Sequence, residues 1–452
     1  MKISPENIST IYFLGIGGIG MSALARYFKA KGKAIHGYDK TSTPLTDELQ
    51  QEGMQIHFED DPRLIPEDTG LAIYTPAIPK TLREFQKLKN SGIPMIKRSA
   101  ALGIITEGKL TIAVAGTHGK TSISSMIAHM LVQAGAPVTA LIGGISKNYE
   151  SNFITSHKEE IMVVEADEFD RSFLHLHPDI AVISSMDPDH LDIYESGGPM
   201  KQAFEAFASN IKPGGKLIIR SDLELELRSD IWRVDYAVGE QTDIFAANDR
   251  IENGLQVFDM FTCHYRSLGI KLQIPGRHNI ENAVAAAAVC RAAGLEREMI
   301  IAGIHSYTGV RRRFDIRMNT PEMIYIDDYA HHPRELEAFI SAVREFCPGK
   351  MLTGIFQPHL YSRTRDFAEG FAESLELLDE VWLLDIYPAR ELPIPGVTSA
   401  MIFDRIKNVR KKMAGTGEVL EWLKTDKPQV LLTMGAGDID QLVGLIEELL
   451  KS

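Results

Sequence analysis

The chain has 452 residues, 44% of them hydrophobic and 24% charged, which is typical of globular proteins and long enough for roughly two to four domains. A formal net charge of −13 argues against nucleic-acid binding, because that function depends on neutralising phosphates with lysine and arginine. Three cysteines without metal-ligand spacing, and no apolar run of about 18 residues, indicate a cytoplasmic protein that does not enter a membrane.

The first predicted unit is a strand, a glycine-rich turn and a helix. Strands are predicted at residues 11–14 and 34–38, with a helix at 21–31 between them. The intervening Gly-Ile-Gly-Gly-Ile-Gly of residues 15–20 lets the backbone approach a diphosphate at the helix N-terminus. Asp39 follows the second strand, where an acid binds ribose in dinucleotide-binding folds. The pattern fits NAD, another diphosphate nucleotide or a turn without a ligand.

The second predicted unit has a different loop between its strand (111–115) and its helix (122–134). This loop reads Ala-Gly-Thr-His-Gly-Lys-Thr over residues 115–121, one residue shorter than the common phosphate-binding pattern. Its backbone amides would surround phosphates, Lys120 would meet the β and γ oxygens, and the Thr121 hydroxyl would bind Mg²⁺. The sequence therefore predicts an ATP site.

Two further residues follow strands of this unit and point to a metal site. Glu165 ends a predicted strand at 161–165, and His190 follows another at 180–184. Both would lie at the carboxyl edge of a parallel sheet, where ligands bind, and Glu165 is a hard ligand suited to Mg²⁺. The alternative for His190 is a loop histidine held by Asp187 or Asp189. Three acids fit a solvent-exposed turn and receive no role: Asp167, Glu168 and Asp170.

The rest of the chain continues the alternation of strands and helices. The stretch at 243–272 resembles short strands and turns, and the third unit combines a strand at 324–326, a helix at 333–345 and an amphipathic helix at 438–450. Further strands are predicted at 216–219, 352–356, 380–384 and 429–433. Alternating elements predict an α/β protein with a largely parallel sheet in each region. We predict three domains: Rossmann-like 1–106, a P-loop-type ATP-binding domain 107–317 and Rossmann-like 318–452.

Six motifs, in order along nearly the whole chain, resemble those of the Mur ligases. They are Gly15–Ser22, Gly116–Ser122, Val164–Asp170, Pro275–Asn282, Asp327–Pro333 and Phe356–His359. The resemblance implies an ATP-dependent ligase of peptidoglycan precursor synthesis that joins L-alanine to UDP-N-acetylmuramate through an acyl phosphate, giving ADP and phosphate. It also implies two Mg²⁺ ions and a monomer or weak homodimer.

The resemblance assigns roles residue by residue. ATP contacts are expected from Gly116, Thr117, His118, Gly119, Lys120, Thr121, Ser122, Asn282, Arg313 and Asp328. UDP-sugar contacts are expected from Gly15, Gly17, Gly18, Ile19, Gly20 and Asp39. The amino-acid pocket would comprise Tyr329, His331 and Arg363, and the metal ligands would be Thr121, Glu165 and His190. The catalytic candidates are Lys120, His331 and Arg363.

Several alternatives stay open in the sequence. Asn279 fits helix capping as well as base contact. Leu360 stands where many relatives carry arginine, so the carboxylate clamp is either Arg363 alone or Arg363 with Arg365. Glu205 stands where several sister ligases carry a modified lysine, which argues against the later-step enzymes.

Three rival functions fit part of the pattern. A ligase that attaches a recovered tripeptide to the same sugar nucleotide would share the ATP and sugar motifs. An NAD-dependent oxidoreductase would explain the first glycine loop alone. A non-catalytic nucleotide-binding module would leave Lys120, Thr121, Glu165 and His190 unexplained.

Overall fold

The computed structural model describes residues 5–156, 160–187, 197–389 and 391–451. Two compact units make up the chain: Met1–Tyr236 with Ala285–Gly303, and Ala237–Val284 with Ile304–Ser452. Within these described ranges, no helix is both long and apolar enough to cross a membrane. Short 3-10 helices lie at Pro5–Asn7, Pro62–Leu64 and Phe169–His175.

The first unit begins with a five-stranded parallel sheet. Its strands are β1 (Thr10–Leu14), β2 (Ala34–Tyr38), β3 (Gln55–His57), β4 (Thr69–Tyr74) and β5 (Met95–Lys97). Its helices are α1 (Ile19–Ala30), α2 (Pro44–Gln51), α3 (Arg83–Asn90) and α4 (Arg98–Thr106). In the order β3-β2-β1-β4-β5, the chain adds strands to one side of β1 and then to the other. Ligands bind to parallel sheets at such a switch point. The glycine loop follows β1 and therefore lies at this point.

A second sheet of the first unit positions the phosphate loop. Its strands are β6 (Leu110–Ala115), β7 (Val138–Ser146), β8 (Ser151–Thr155), β9 (Ile161–Glu165), β10 (Ile180–Ile183), β11 (Lys216–Arg220) and β12 (Trp232–Val238). The order is β12-β11-β10-β6-β9-β7-β8, parallel except for β8. Helices α5 (Lys120–Gln133) and α6 (Gly197–Ser209) follow β6 and β10 in the chain. Because β6 lies between β9 and β10, the ends of these three strands share one edge.

The stretch at 243–272 forms antiparallel hairpins, which confirms the prediction of short strands there. The strands are β13 (Ile244–Glu252), β14 (Leu255–Thr262) and β15 (Arg266–Leu272). Helices α7 (Arg277–Ala292) and α8 (Arg297–Ser306) follow.

The second unit also contains a six-stranded sheet of order β16-β17-β21-β18-β19-β20. Its strands are β16 (Asp315–Asn319), β17 (Ile324–Asp328), β18 (Leu352–Phe356), β19 (Glu380–Leu383), β20 (Arg410–Met413) and β21 (Val430–Met434). Its helices are α9 (Pro333–Phe346), α10 (Tyr361–Leu375), α11 (Ala400–Phe403), α12 (Thr416–Thr425) and α13 (Asp440–Lys451). Only β16 is antiparallel, and β17, β18 and β21 are buried throughout. The predicted α/β class is confirmed, whereas edge strands β16 and β20 were not predicted.

Candidate active site

The phosphate loop is a tight connection between β6 and α5. Gly119 takes a left-handed φ of 82° at the N-cap, so α5 begins at Lys120, two residues before the predicted start. Gly116 has a φ of 136°, and a Cβ on it would lie 2.2 Å from Ser184 Oγ and 2.9 Å from Ser185 N. The two glycines therefore bring Lys120 and Thr121 into the first helical turn, where free backbone amides attract phosphate.

Replacing Gly116 with alanine should disrupt this loop. The added Cβ overlaps Ser184, and overpacking of this kind costs roughly 1–3 kcal/mol. If the phosphate loop shifts to relieve the overlap and the whole cost falls on ATP binding, the Kd for ATP rises about 5- to 150-fold. Gly135, just after α5, is a matched control, since its φ is 73° and nothing lies within 4 Å of its Cβ position. Calorimetric titration should show weakened ATP binding in G116A and ordinary binding in G135A. Equal affinities in the two variants would contradict the steric argument.

Residues that follow β10 form hydrogen bonds to the phosphate loop. Ser185 Oγ accepts a hydrogen bond from the backbone N of His118 at 2.7 Å and lies 3.0 Å from Thr117 Oγ1. Asp187 N donates to Thr117 Oγ1 at 3.1 Å, and its carboxylate lies 3.4 Å from His118 Nε2. The loop is thus preorganised by side chains of a neighbouring strand end. His190 lies in 188–196, outside the described residues.

Lys120 is ion-paired with Glu168, an acid for which no role was predicted. Lys120 Nζ lies 2.8 Å from Glu168 Oε2 and donates to the Gly116 carbonyl oxygen at 2.6 Å. Burial alone would lower the pKa of Lys120, but Glu168, Asp167 and Glu165 together raise that pKa above its usual value. The lysine is therefore fully charged at neutral pH. Glu168 is only 1% exposed, so the interpretation of this stretch as a solvated acidic turn was wrong for Glu168.

Glu165 and Thr121, both predicted as metal ligands, are in contact. The Thr121 hydroxyl donates to Glu165 Oε2 at 3.0 Å, and the backbone N of Gly143 donates to the same oxygen at 2.9 Å. A hydroxyl and a carboxylate beside a phosphate loop are hard oxygen donors of the kind that Mg²⁺ prefers. Two protein oxygens also suit Mg²⁺ because this ion usually keeps several waters and phosphate oxygens as ligands. Within the described ranges no cluster of three or more acidic, histidine or cysteine side chains forms a complete metal site.

A cleft of about 280 Å³ joins the glycine loop to Glu165 within the first unit. Its lining includes Gly18, Ile19, Gly20, Thr75, Arg98, Gly143, Glu165 and Asp167. Arg98 Nη2 lies 3.2 Å from Asp167 Oδ2, which links α4 to the turn after β9. A diphosphate bound at the glycine loop would therefore place its attached group beside the Glu165 carboxylate.

Asp39 contacts the glycine loop itself. Its Oδ2 atom accepts a hydrogen bond from the backbone N of Gly17 at 2.7 Å, and its Oδ1 atom accepts one from Lys40 N at 2.8 Å. The carboxylate thus fixes the loop conformation at the end of β2. Ribose binding by Asp39 stays a prediction.

In the second unit, Asp328 ends β17 and interacts electrostatically with Arg313, which precedes β16. Asp328 is buried and accepts hydrogen bonds from the backbone N of Phe314 at 2.7 Å and of Ala330 at 2.8 Å. Burial raises the pKa of Asp328 to about 7, although Arg313 and the two amides favour its charged form. Arg312 has a different role, since it donates to Asp327 at 3.2 Å and to the Gly435 carbonyl at 2.6 Å.

Aromatic and histidine rings line the loops after β17 and β18. The ring centres of Tyr329 and His331 lie 5.2 Å apart, those of His331 and His359 lie 6.0 Å apart, and Tyr387 stacks on His359 at 5.9 Å. His359 Nδ1 lies 3.5 Å from Arg363 Nη1. The sequence assigned no role to His359 or Tyr387, although His359 ends one of the quoted motifs. The rings and the guanidinium together form a cluster of mixed polar and aromatic character.

The two candidates for the carboxylate clamp, Arg363 and Arg365, differ in exposure. Arg363 is buried at 6% exposure, whereas the Arg365 side chain is 52% exposed and donates to Asp366 at 2.7 Å. Leu360 is buried and adopts a positive φ of 69° immediately before α10. Arg365 therefore lies at the surface.

The two asparagines of α7 also differ. Asn279 Nδ2 donates to the Pro275 carbonyl oxygen at 2.7 Å, which favours a local structural role. Asn282, one turn later, is buried at 8% exposure. Its contact with a base stays a prediction.

Comparison with known proteins identifies the family. Three family models match: Mur ligase family, catalytic domain (residues 10–110), Mur ligase middle domain (114–290) and Mur ligase, glutamate ligase domain (312–437). A UDP-N-acetylmuramate–L-alanine ligase of Flavobacterium johnsoniae is 47% identical over 99% of both chains. The chain belongs to the Mur ligase family. A second such ligase, from Parabacteroides distasonis, is 48% identical over 98% of both chains.

Solved structures agree with this assignment. The crystal structure of a Mur ligase from Thermotoga maritima, a UDP-N-acetylmuramate–alanine ligase, has a TM-score of 0.84 at 27% identity and covers 97% of this chain and 98% of its own. A murein peptide ligase from Psychrobacter arcticus shares the fold, with a TM-score of 0.72 at 19% identity over 98% of each chain.

As a Mur ligase, the chain is an ATP-dependent enzyme that forms carbon–nitrogen bonds. This decides against the NAD-dependent oxidoreductase and against a non-catalytic nucleotide-binding module. The glycine loop at residues 15–20 is then the start of the family's first domain model rather than a dinucleotide site of a dehydrogenase.

Proposed function

We propose that this Mur ligase joins L-alanine to UDP-N-acetylmuramate in cytoplasmic peptidoglycan precursor synthesis, converting ATP to ADP and phosphate. The observation that carries the proposal is full-length identity of 47% and 48% to two ligases with that activity in their names. The phosphate loop, the acid beside it and the second-unit pocket provide the chemistry that such a reaction needs. In this pocket the amino acid is held through its carboxylate and its amine.

We propose one ligand for each of the three predicted domains. Residues 1–106 bind the UDP-sugar at the glycine loop and Asp39, and residues 107–317 bind ATP at the phosphate loop, including Thr117, His118 and Ser122. Residues 318–452 bind L-alanine. The spans of the three family models support this division. Further ATP contacts come from Asn282, Arg313 and Asp328.

The first chemical step activates the sugar-linked carboxylate. Its oxygen attacks the γ-phosphorus of ATP and ADP leaves, giving an acyl phosphate. Lys120 neutralises the charge that develops on the transferred phosphoryl group, because its ammonium is fully charged and held at the loop. The cleft between the glycine loop and Glu165 supports this placement of the carboxylate.

The second step transfers the acyl group. The alanine amine attacks the acyl carbon, and phosphate leaves from the tetrahedral intermediate. Arg363 holds the alanine carboxylate with its guanidinium, and Tyr329 and His331 shape the pocket around the amine. Exclusion of water from the acyl phosphate favours the amine as acceptor.

Magnesium belongs to the proposal through Thr121 and Glu165, which would hold one ion. An ion held there would supply charge neutralisation for the phosphate oxygens. A second ion held by His190 rests on the resemblance, since that residue lies outside the described ranges.

Release of ADP from Mg-ATP and UDP-N-acetylmuramate, with and without L-alanine, tests the function. We expect release that requires both the sugar nucleotide and alanine, and a product heavier by one alanine residue in mass spectrometry. Release that requires a tripeptide instead of alanine would replace the proposal with the recycling ligase. If no ADP is released with any amino acid or peptide, UDP-N-acetylmuramate is refuted as the substrate.

A further inference from the structure

Glu335 and His331 are in contact at the start of α9. His331 precedes the helix by two residues, and Glu335 lies in its first turn. Glu335 Oε2 accepts a hydrogen bond from the backbone N of His331 at 3.0 Å and lies 3.2 Å from Nδ1 of its ring. The same Nδ1 atom lies 2.9 Å from the carbonyl oxygen of Tyr329. The ring is thus held on one side by two oxygens.

These oxygens fix the position of the ring proton. A carbonyl oxygen and a carboxylate only accept hydrogen bonds, so Nδ1 of His331 carries the proton and donates it to them. The lone pair of the neutral ring is then on Nε2. A carboxylate beside Nδ1–H also stabilises the imidazolium that forms when Nε2 accepts a proton, as the acid of a catalytic triad does.

The ring lies in the same cluster as the guanidinium proposed to bind alanine. His331 packs between the rings of Tyr329 and His359, and His359 Nδ1 lies 3.5 Å from Arg363. The charged and titratable groups around the His331 ring include Glu335, His359 and Tyr329, with Arg363 behind His359 and with Arg312 and Arg313 over the Tyr329 ring. In an α-amino acid one carbon separates the carboxylate from the amine. An amino acid held through its carboxylate at Arg363 consequently has its amine within this cluster.

Building on the proposed function, we propose that Glu335 is a positioning residue that makes His331 Nε2 the acceptor of the ammonium proton of L-alanine. Loss of that proton leaves a neutral amine, whose lone pair forms the bond to the acyl carbon. The carbon–oxygen bond to phosphate then breaks, and the second amine proton leaves with the departing phosphate. The proton count balances without a further reactant.

The competing explanation is that Glu335 only caps α9. Its hydrogen bond to the His331 backbone satisfies an amide at the helix start, which is a common role for glutamate in a first helical turn. Glutamine performs the same capping through its amide oxygen but carries no charge. The E335Q variant therefore keeps the cap and removes the carboxylate.

The test compares two acceptors with the full-length enzyme, Mg-ATP and UDP-N-acetylmuramate. L-Alanine needs a base, whereas hydroxylamine is mostly unprotonated at neutral pH and reacts with the acyl phosphate without one. We expect E335Q to lower the kcat for alanine roughly 10- to 100-fold, with little change in the KM for alanine. Hydroxamate formation by E335Q should match the wild type. Glu337 is an exposed glutamate on the same helix, and E337Q should match the wild type with both acceptors.

Each outcome distinguishes a positioning role of Glu335 from a purely structural one or from none. An equal fall with both acceptors in E335Q would mean a structural role, and unchanged rates with both would remove Glu335 from the reaction. Either result would overturn the inference while leaving the proposed function intact. Failure of the wild-type enzyme to use alanine would instead refute the proposed function.

Discussion

Replacing Lys120 with methionine should lower kcat by roughly 100- to 1,000-fold. Methionine keeps much of the apolar side chain but removes the ammonium that we propose to face the transferred phosphoryl group, and loss of one such interaction in the transition state has effects of this size. The residual rate should come from the loop amides. Steady-state ADP release measures the effect. Lys80 is an exposed lysine of the same unit, and K80M should keep the wild-type rate.

The Lys120–Glu168 ion pair complicates this experiment. Because Glu168 is buried, removing its partner leaves an uncompensated charge, which costs about 3–5 kcal/mol of stability in comparable pairs. The double variant K120M/E168Q removes both charges and should recover most of the thermal stability lost in K120M. Its ADP release should stay as low as that of K120M. Recovery of activity along with stability would mean that Lys120 acts through folding rather than through the phosphoryl group.

Features that depend on nearby residues were predictable from the sequence. The phosphate loop and its glycines follow a buried strand, and local backbone chemistry favours glycine where φ is positive. The meeting of Thr121 and Glu165 was also predictable, since the ends of neighbouring parallel strands share one edge of a sheet. Both predictions use information contained in single segments and one rule of topology.

Features that depend on packing between distant segments were not predictable. Glu168 is one of three acids in a short turn, and only the fold shows that it is buried against Lys120, whereas the partly exposed Asp167 pairs with Arg98. Three consecutive arginines at residues 311–313 pose the same problem, because Arg312 bonds to Asp327 and Gly435, which lie 15 and 123 residues away in sequence. One indication of the role of Glu168 was available, because the buried ammonium of Lys120 needs a negatively charged partner.

Replacing Arg363 with lysine should raise the KM for L-alanine roughly 10- to 100-fold, with a smaller effect on the KM for ATP. A guanidinium donates two parallel hydrogen bonds to a carboxylate, and lysine keeps the charge but loses this fork, at a cost of about 1.5–3 kcal/mol per lost charge-assisted bond. Arg363 is buried beside His359, which suits a side chain that is preorganised for a ligand.

Arg365 provides the matched control because it lies two residues along the same helix. Its side chain is about half exposed and already paired with Asp366, so R365K should leave the KM for alanine unchanged. A rise in KM in both variants would establish a two-armed clamp in which Arg365 replaces the arginine that the resemblance predicts at the position of Leu360. A rise in R363K alone means that the clamp has one arm, because the buried Leu360 side chain offers no hydrogen-bond donor. Binding of alanine would then depend on a single guanidinium, and the neighbouring rings of His331 and His359 would supply the remaining contacts.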